Sequence, residues 1–300
     1  MIAYDEKSWI SVALRVRGSV IPRILPRIVL VAAIGVGAQY LNVTASAKVP
    51  PVLHTMLGVA LGLLLVFRTT ASYDRWWEGR KLLGGLVNRT RDLARQASAY
   101  LADESERSDV QRYTSAYFVL ACQGLRREND MGALGELLTG DERTTLEGAR
   151  HRANVVSAWM TGILAGAAQG GRLSEQRLQL MDGNLSLFND YVGGCERIAK
   201  TPLPLAYAQH TKLLVTLFCL TAPFALSDSL GWLTPVGAGV LAFALFGVDE
   251  IGVEIEDPFG HDPNDLPLEA VAATIEGDTR ELVRCPARPV RAPSDIRPLA

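Results

Sequence analysis

Long apolar runs alternate along this chain with intervals in which greasy and charged residues recur at helical spacing. Ile28 to Leu41 is apolar except for Gln39, and Val52 to Phe67 is apolar apart from His54 and Thr55. Leu213 to Leu226 and Leu233 to Val248 repeat the pattern near the other end. Each run falls short of the about 20 residues that cross a bilayer, but flanking aromatic and basic side chains can supply the missing turn by reaching toward the headgroups. The pattern therefore predicts four membrane spans. The second run passes without a proline break into Arg68, Tyr73, Asp74, Arg75, Trp76, Trp77, Glu78, Arg80 and Lys81. One helix is thus predicted to leave the membrane and continue into water. Tyr73, Trp76 and Trp77 mark the depth of that exit, because Trp and Tyr favour the membrane interface.

Arg15, Arg17, Arg23 and Arg27 precede the first span, and Arg68, Arg75, Arg80 and Lys81 follow the second. Excess Lys and Arg marks the cytoplasmic side, so both flanks and both termini are expected there, with the short Asn42 to Pro51 connection outside. That connection carries only Lys48 and predicts an antiparallel hairpin. Trp9 to Val20 reads either as a short amphipathic helix on the inner surface or as a frayed lead-in. Residues from about Gly84 to Lys200 contain no span and read as a helical cytosolic layer, with Leu86, Leu93 and Ala97 on a dry face of the continuing second helix. Further helices are expected over Ser105 to Arg126, Thr144 to Arg150, Ala153 to Ala168, from Ser174 onward with a stripe of Leu178, Met181, Leu185 and Phe188, and Leu268 to Val283. Gly193 and Gly194 are expected to loosen the helix that starts at Ser174, and Ser227 to Gly231 to form a tight outer turn. Asp249, Glu250, Glu254, Glu256 and Asp257 read as a solvated acidic face that pairs with Arg68, Arg75 or Arg80. The division that follows is 1–83, 84–200, 201–256 and 257–284, with a Pro- and Arg-containing tail at 285–300 that reads as unfolded.

Composition narrows the class. The 300 residues are 48% hydrophobic and 21% charged, with a formal net charge of −2. Mean hydropathy of +0.14 is too low for a chain that is all span, and fits one with roughly half of its length in water. Near-neutral charge gives no reason to expect nucleic acid. Cys122, Cys195, Cys219 and Cys285 are widely separated and read as reduced thiols, neither a zinc site nor a disulfide framework. The sequence has no H-E-x-x-H, G-x-S-x-G, Walker A or dinucleotide fingerprint, and His54, His151, His210 and His261 are too dispersed for a metal cluster. No cofactor, metal or enzymatic activity is expected.

Within the second run, Gly58 and Gly62 form a small-x-x-x-small pair that allows two helix backbones to approach. Val59, Leu63 and Phe67 stand at i, i+4 and i+8, one above another. By periodicity alone such a stripe reads as packing against lipid or a neighbouring helix.

The stretch FRTTASYDRWWEGRKLLGG (Phe67 to Gly85) resembles the second-helix signature of the bacterial branch of the bestrophin family. GGCERIAKTPLPLAY (Gly193 to Tyr207) and GVDEIGVEIEDPFG (Gly247 to Gly260) agree with it, in the family's order, and bracket nearly the whole chain. The resemblance implies an all-α membrane protein that assembles as a symmetric pentamer around a central pore, and it places Val59, Leu63 and Phe67 in an apolar pore neck. It implies a second, cytosolic constriction near Gln176, with Leu178 and Leu180 close by. Eukaryotic members bind calcium with a dense acidic run after their N-P-F-G motif. This chain reads DPFGHDPNDLPLE, so only Asp262 and Asp265 are acidic there. Calcium takes six to eight oxygens, so calcium gating is not expected.

Three function classes remain open on the sequence. The favoured one is a homopentameric channel of the bacterial inner membrane for passive flux of small anions such as chloride, with lipids and permeant ions as its partners. A channel of the same build selective for sodium or potassium is the first alternative. A membrane-anchored scaffold without conduction is the second, and a soluble helical enzyme with merely core apolar runs is the last. The outer mouth offers Lys48 and His54 against Asp228, and the second helix points its positive dipole end outward, which tilts the reading toward anions by only about 0.3–1 kcal/mol.

Overall fold

A computed structural model of the chain describes residues 9–45 and 50–284. Among these residues every regular element is a helix. In order they are α1 (Trp9–Ala13), α2 (Ile21–Ala45), α3 (Pro51–Tyr100), α4 (Glu104–Arg126), α5 (Gly140–Glu147), α6 (Arg152–Gln169), α7 (Glu175–Lys200), α8 (Leu205–Leu230), α9 (Thr234–Glu254) and α10 (Leu268–Arg284). Short 3-10 turns occupy Gly132–Leu134 and Gly231–Leu233. Three helical stretches are long and apolar enough to cross a membrane: α2, α3, and the stretch Leu205–Glu254. The last is folded on itself by the 3-10 turn between α8 and α9. Lys48 and the 285–300 tail lie outside the described residues.

Several boundaries differ from the sequence expectation. Helix α1 stops at Ala13, and the chain reverses through Gly18 at φ +80°, a conformation that glycine adopts without steric cost. Ser227 to Leu230 is helical, and the turn falls one step later, where Gly231 at φ +53° ends α8. Gly193 and Gly194 do not loosen α7, which runs unbroken to Lys200. A β-carbon at Gly194 would sit 2.9 Å from Leu82, so the missing side chain sets close packing instead of a break.

The chain divides into two compact units. The first gathers the residues up to Arg80 and Ile198–Leu266. Its core joins Ile24 and Val31 of α2, Leu61 and Leu65 of α3, Val215 and Cys219 of α8, and Ala238, Ala242 and Phe246 of α9. Small residues dominate the α2–α9 seam, as expected where lipid supplies no hydrophobic push between helices. A methyl on Gly35 would lie 2.8 Å from the Pro235 Cα, so the two backbones touch there. Gln39, the polar residue of the first span, is buried at this end of α2. With its amide turned so that Nε2 donates, it reaches the carbonyl oxygens of Ser227 at 2.9 Å and Gly231 at 3.1 Å. It thereby adds a donor to two carbonyls at the end of α8 that already accept the N–H groups of Gly231 and Thr234.

The second unit gathers Lys81–Arg197 and the residues from Pro267 onward. Helix α4 is its spine and packs against α6 and α10. Val110, Tyr117, Phe118 and Leu120 of α4 are buried with Val156, Met160 and Leu164 of α6, Ile275 of α10, and the predicted α7 stripe of Met181, Leu185 and Phe188. Tyr117 stacks obliquely on Phe188 at 5.4 Å, and its hydroxyl donates to Asn189 Oδ1 at 3.0 Å. Helix starts follow local chemistry. The Asp103 carboxylate accepts from the Ser105 N–H ahead of α4, and Thr139 and Glu142 form a reciprocal capping box on α5. Glu142 also receives two bonds from the Arg112 guanidinium, at 2.7 and 3.0 Å, and one from the Tyr113 hydroxyl.

Candidate functional site

Helix α3 carries the candidate site on the face turned away from its own core. Leu61, Leu65, Arg68 and Ser72 follow one another at helical spacing and are buried. On the opposite side Val59, Leu63 and Phe67 are 74%, 57% and 57% exposed. Met56 and Val66 share that arc. From Val52 to Phe67 the exposed face carries no charge, so the first unit presents an apolar strip along a helix of membrane-crossing length. Gly58 faces Phe218 of α8, whose ring would lie 3.3 Å from an added β-carbon, whereas nothing lies within 4 Å of the equivalent point on Gly62. The pair therefore does not form one internal helix seam, because only Gly58 meets a neighbour within the chain.

Below the strip the helix turns polar, and here the sequence reading needs correcting. Asp249, Glu250 and Glu254 are 4%, 8% and 6% exposed, so they are a buried acidic cluster and not a solvated face. Isolated buried carboxylates are costly, and each of these is neutralised by an arginine. Arg68, itself 1% exposed, places Nη1 3.3 Å from Asp249 and Nη2 3.9 Å from Glu256. Neither its Nε nor its Nη1 makes an aligned hydrogen bond, so charge proximity and not hydrogen-bond geometry holds this pair. Glu250 and Glu254 are served by arginines of α2, which sequence reasoning did not assign to them. Arg27 meets Glu250 at 3.0 Å, and Arg23 meets Glu254 at 3.6 Å and Asp262 at 2.8 Å. Arg75 does not pair with an acid there. Its fork donates to three backbone oxygens, those of Glu256 at 3.0 Å, Thr201 at 2.6 Å and Ile198 at 2.8 Å, and so ties the chain ends that flank α8 and α9 to α3. Arg80 is exposed.

Beyond α9, Asp265 is buried and its Oδ2 accepts the Asp262 N–H at 2.7 Å, while Oδ1 has no partner. Burial, reinforced by the charges of Asp262, Asp257 and Glu254, pushes its carboxyl up to about 6 against the pull of that backbone bond. A carboxyl that holds its proton more tightly when folded destabilises the fold at pH values above its folded titration, and the penalty fades as pH falls through about 6. Asp265→Asn is therefore expected to melt higher than the parent at pH 7.5. The two curves should draw together as pH falls from about 6 and meet only below about pH 4, the ordinary carboxylate range; a constant offset across that range would show that the charge of Asp265 is not the cause.

The remaining sequence candidates are placed as follows. Gln176 lies in the first turn of α7 and is exposed, with Leu180 (57% exposed) one turn further on the same face and Leu178 half-buried beside them. Trp76 is half-buried and Trp77 is 43% exposed, with Tyr73 stacked on Trp77 at 6.4 Å. His54 is drawn toward α8: Nε2 lies 2.8 Å from Thr221 Oγ1 and the ring packs on Phe218 at 5.4 Å. Among the described residues no three His, Cys, Asp or Glu side chains converge as a metal site.

An all-helical chain with membrane-length helices, an exposed apolar strip on one of them and a neutralised charge cluster at its polar end is a helical membrane protein. Comparison with known proteins gives the family. The family model for bacterial and fungal bestrophin proteins matches residues 1–281, and the chain belongs to that family. It is 38% identical to a voltage-dependent anion channel-forming protein of Nostoc sp. over 92% of both chains, and 34% identical to one of Synechocystis sp. over 94% of both. Among solved structures, a bacterial bestrophin homolog from Klebsiella pneumoniae matches 88% of this chain and 98% of its own, with a TM-score of 0.83 and 30% identity.

Proposed function

We propose that this chain is the subunit of a homopentameric channel that passes chloride and similar small anions down their gradient across the bacterial inner membrane. The observation that carries this reading is the exposed, uncharged strip of Val59, Leu63 and Phe67 on a membrane-crossing helix whose opposite face is already packed. A single protomer has no use for such a strip except contact with lipid or with copies of itself. Copies arranged about an axis would turn it into an apolar collar around a passage, which gates by wetting and binds permeant ions weakly. The names of the relatives, which are anion channel-forming proteins, favour anions.

In this reading α2, α3, α8 and α9 are the spans, both termini lie in the cytoplasm, and Trp76 and Trp77 sit at the inner interface. Gln176 rings a second, polar constriction. Lipids and the other four subunits are the partners, and catalysis plays no part.

The test is bilayer recording of the purified protein under a potassium chloride gradient. A reversal potential near the chloride equilibrium value is expected. A value near the potassium equilibrium would move the assignment to the cation-selective alternative, and absence of current would leave the scaffold reading.

A further inference from the structure

The stretch WISVALRVR, residues 9–17, takes no part in the core of the first unit. Helix α1 covers only its first part, and none of that helix's side chains is buried. Trp9, Ile10, Leu14 and Val16 are 79%, 67%, 76% and 62% exposed, and Val12 is 40% exposed. More than half of the stretch is thus large apolar side chains that the other described residues leave uncovered, and apolar surface gathered in this way marks a contact with a membrane or a partner.

The place of the stretch is fixed where it joins α2. The Gly18 carbonyl accepts Asn264 Nδ2 at 3.1 Å, and the Ser19 hydroxyl accepts the Ile21 N–H at 3.2 Å. Asn264 also donates to Glu254 at 2.7 Å, and Glu254 is one of the acids that meet Arg23. The uncovered residues therefore leave the body at the charged end of α2, a helix of membrane-crossing length. At that level a bilayer changes from acyl chains to headgroups.

Charge decides between occupants. Four arginines precede the apolar run of α2, and the structure sorts them into two kinds. Arg27 is met by Glu250, and Arg23 by Glu254 and Asp262. Arg15 and Arg17 are exposed and form no ion pair among the described residues. The stretch 9–17 contains no acid, so both of its positive charges are unanswered. Tryptophan and aliphatic side chains interleaved with arginine suit the boundary between acyl chains and anionic phosphates.

We propose that residues 9–17 form an interfacial arm that binds anionic phospholipid in the leaflet at the charged end of α2. Trp9, Ile10, Leu14 and Val16 enter the upper acyl-chain layer, and Arg15 and Arg17 meet headgroup phosphates. The arm depends on the chain being a membrane protein and not on conduction.

The test uses the purified full chain in nanodiscs of phosphatidylcholine, with and without phosphatidylglycerol. Amide hydrogen exchange of the peptide spanning residues 9–17 is expected to slow by at least about tenfold when phosphatidylglycerol is present, since each arginine near an anionic surface contributes a preference of about fivefold. Joint replacement Arg15→Gln and Arg17→Gln should remove most of that slowing. It should leave the melting temperature in phosphatidylcholine alone unchanged, because neither side chain has a partner in the folded chain. Depth is read in the anionic discs with lipid brominated high on its acyl chains: the emission that the parent has and Trp9→Phe lacks is expected to be quenched. The proposal is overturned if that emission is not quenched, if the double variant keeps the slowing undiminished, or if exchange over 9–17 is the same in both lipid mixtures, as it would be where a second copy of the chain covered the arm.

Discussion

Replacing Val59, Leu63 and Phe67 together by alanine is expected to raise anion flux into vesicles by about tenfold or more, with little change in the melting temperature of the protein. A narrow ring of large apolar side chains excludes water, and an ion can pass only when the ring wets. Shortening all three tiers widens the ring, and a lowering of the wetting barrier by about 1.4 kcal/mol suffices for a tenfold effect. The melting temperature is the control. The three side chains are more than half exposed in the single chain and take no part in the first unit's core, so their truncation opens no cavity there. Had they been core residues, the same change would cost about 2–5 kcal/mol at each position. Unaltered flux in a folded triple variant would remove the collar assignment, and with it the carrying observation of the proposed function.

Asp249→Ala is expected to be the most destabilising single substitution at the polar end of α3's apolar run, by about 3–5 kcal/mol, because it leaves the Arg68 guanidinium buried with its close counter-ion gone. Glu256 cannot fully replace Asp249: it stands 3.9 Å from Nη2, and its side chain is 19% exposed and partly hydrated. Changing both members of the pair, Arg68→Met with Asp249→Leu, should recover most of the loss, since a well-packed apolar pair of similar volume is often no worse than a buried ion pair. Thermal melting of the single and double variants in one detergent makes the comparison. A neutral Asp249→Ala, or a double variant as unstable as the single one, would show that the pair does not hold this end of the helix.

Much of this architecture was legible in the pattern of residues. The unbroken passage from Val52 to Lys81 without proline predicted one helix leaving the membrane, and α3 runs on to Tyr100. The apolar stripe beginning at Leu178 and ending at Phe188 predicted the inward face of α7. The polar end of α3 was legible only in part: the pairing of Arg68 with the distant acids Asp249 and Glu256 was expected and is present, but charge in a sequence suggests water, and the burial of that cluster was missed. Arg68 stands in the helical register of Leu61 and Leu65, both buried, and that register was the available signal that it faces inward. No comparable signal linked Arg23 and Arg27 to Glu254 and Glu250, since such pairing depends on how α2 lies along α9. The Gly193–Gly194 pair misled for a related reason. Glycine weakens an isolated helix, yet here Gly194 sits against Leu82, where a side chain would collide.

The separation of Arg68 and Asp249 along the chain has a consequence for biogenesis. A ribosome delivers α2 and α3 long before it has made α9, so the guanidinium must stay hydrated or be held by another anion until its carboxylate is translated. Arg23 and Arg27 wait in the same way for Glu254 and Glu250. The arginines of α2 and α3 thus become sealed only once α9 has been made. A nascent chain cut short before Asp249 would carry three arginines without the carboxylates that meet them in the folded chain.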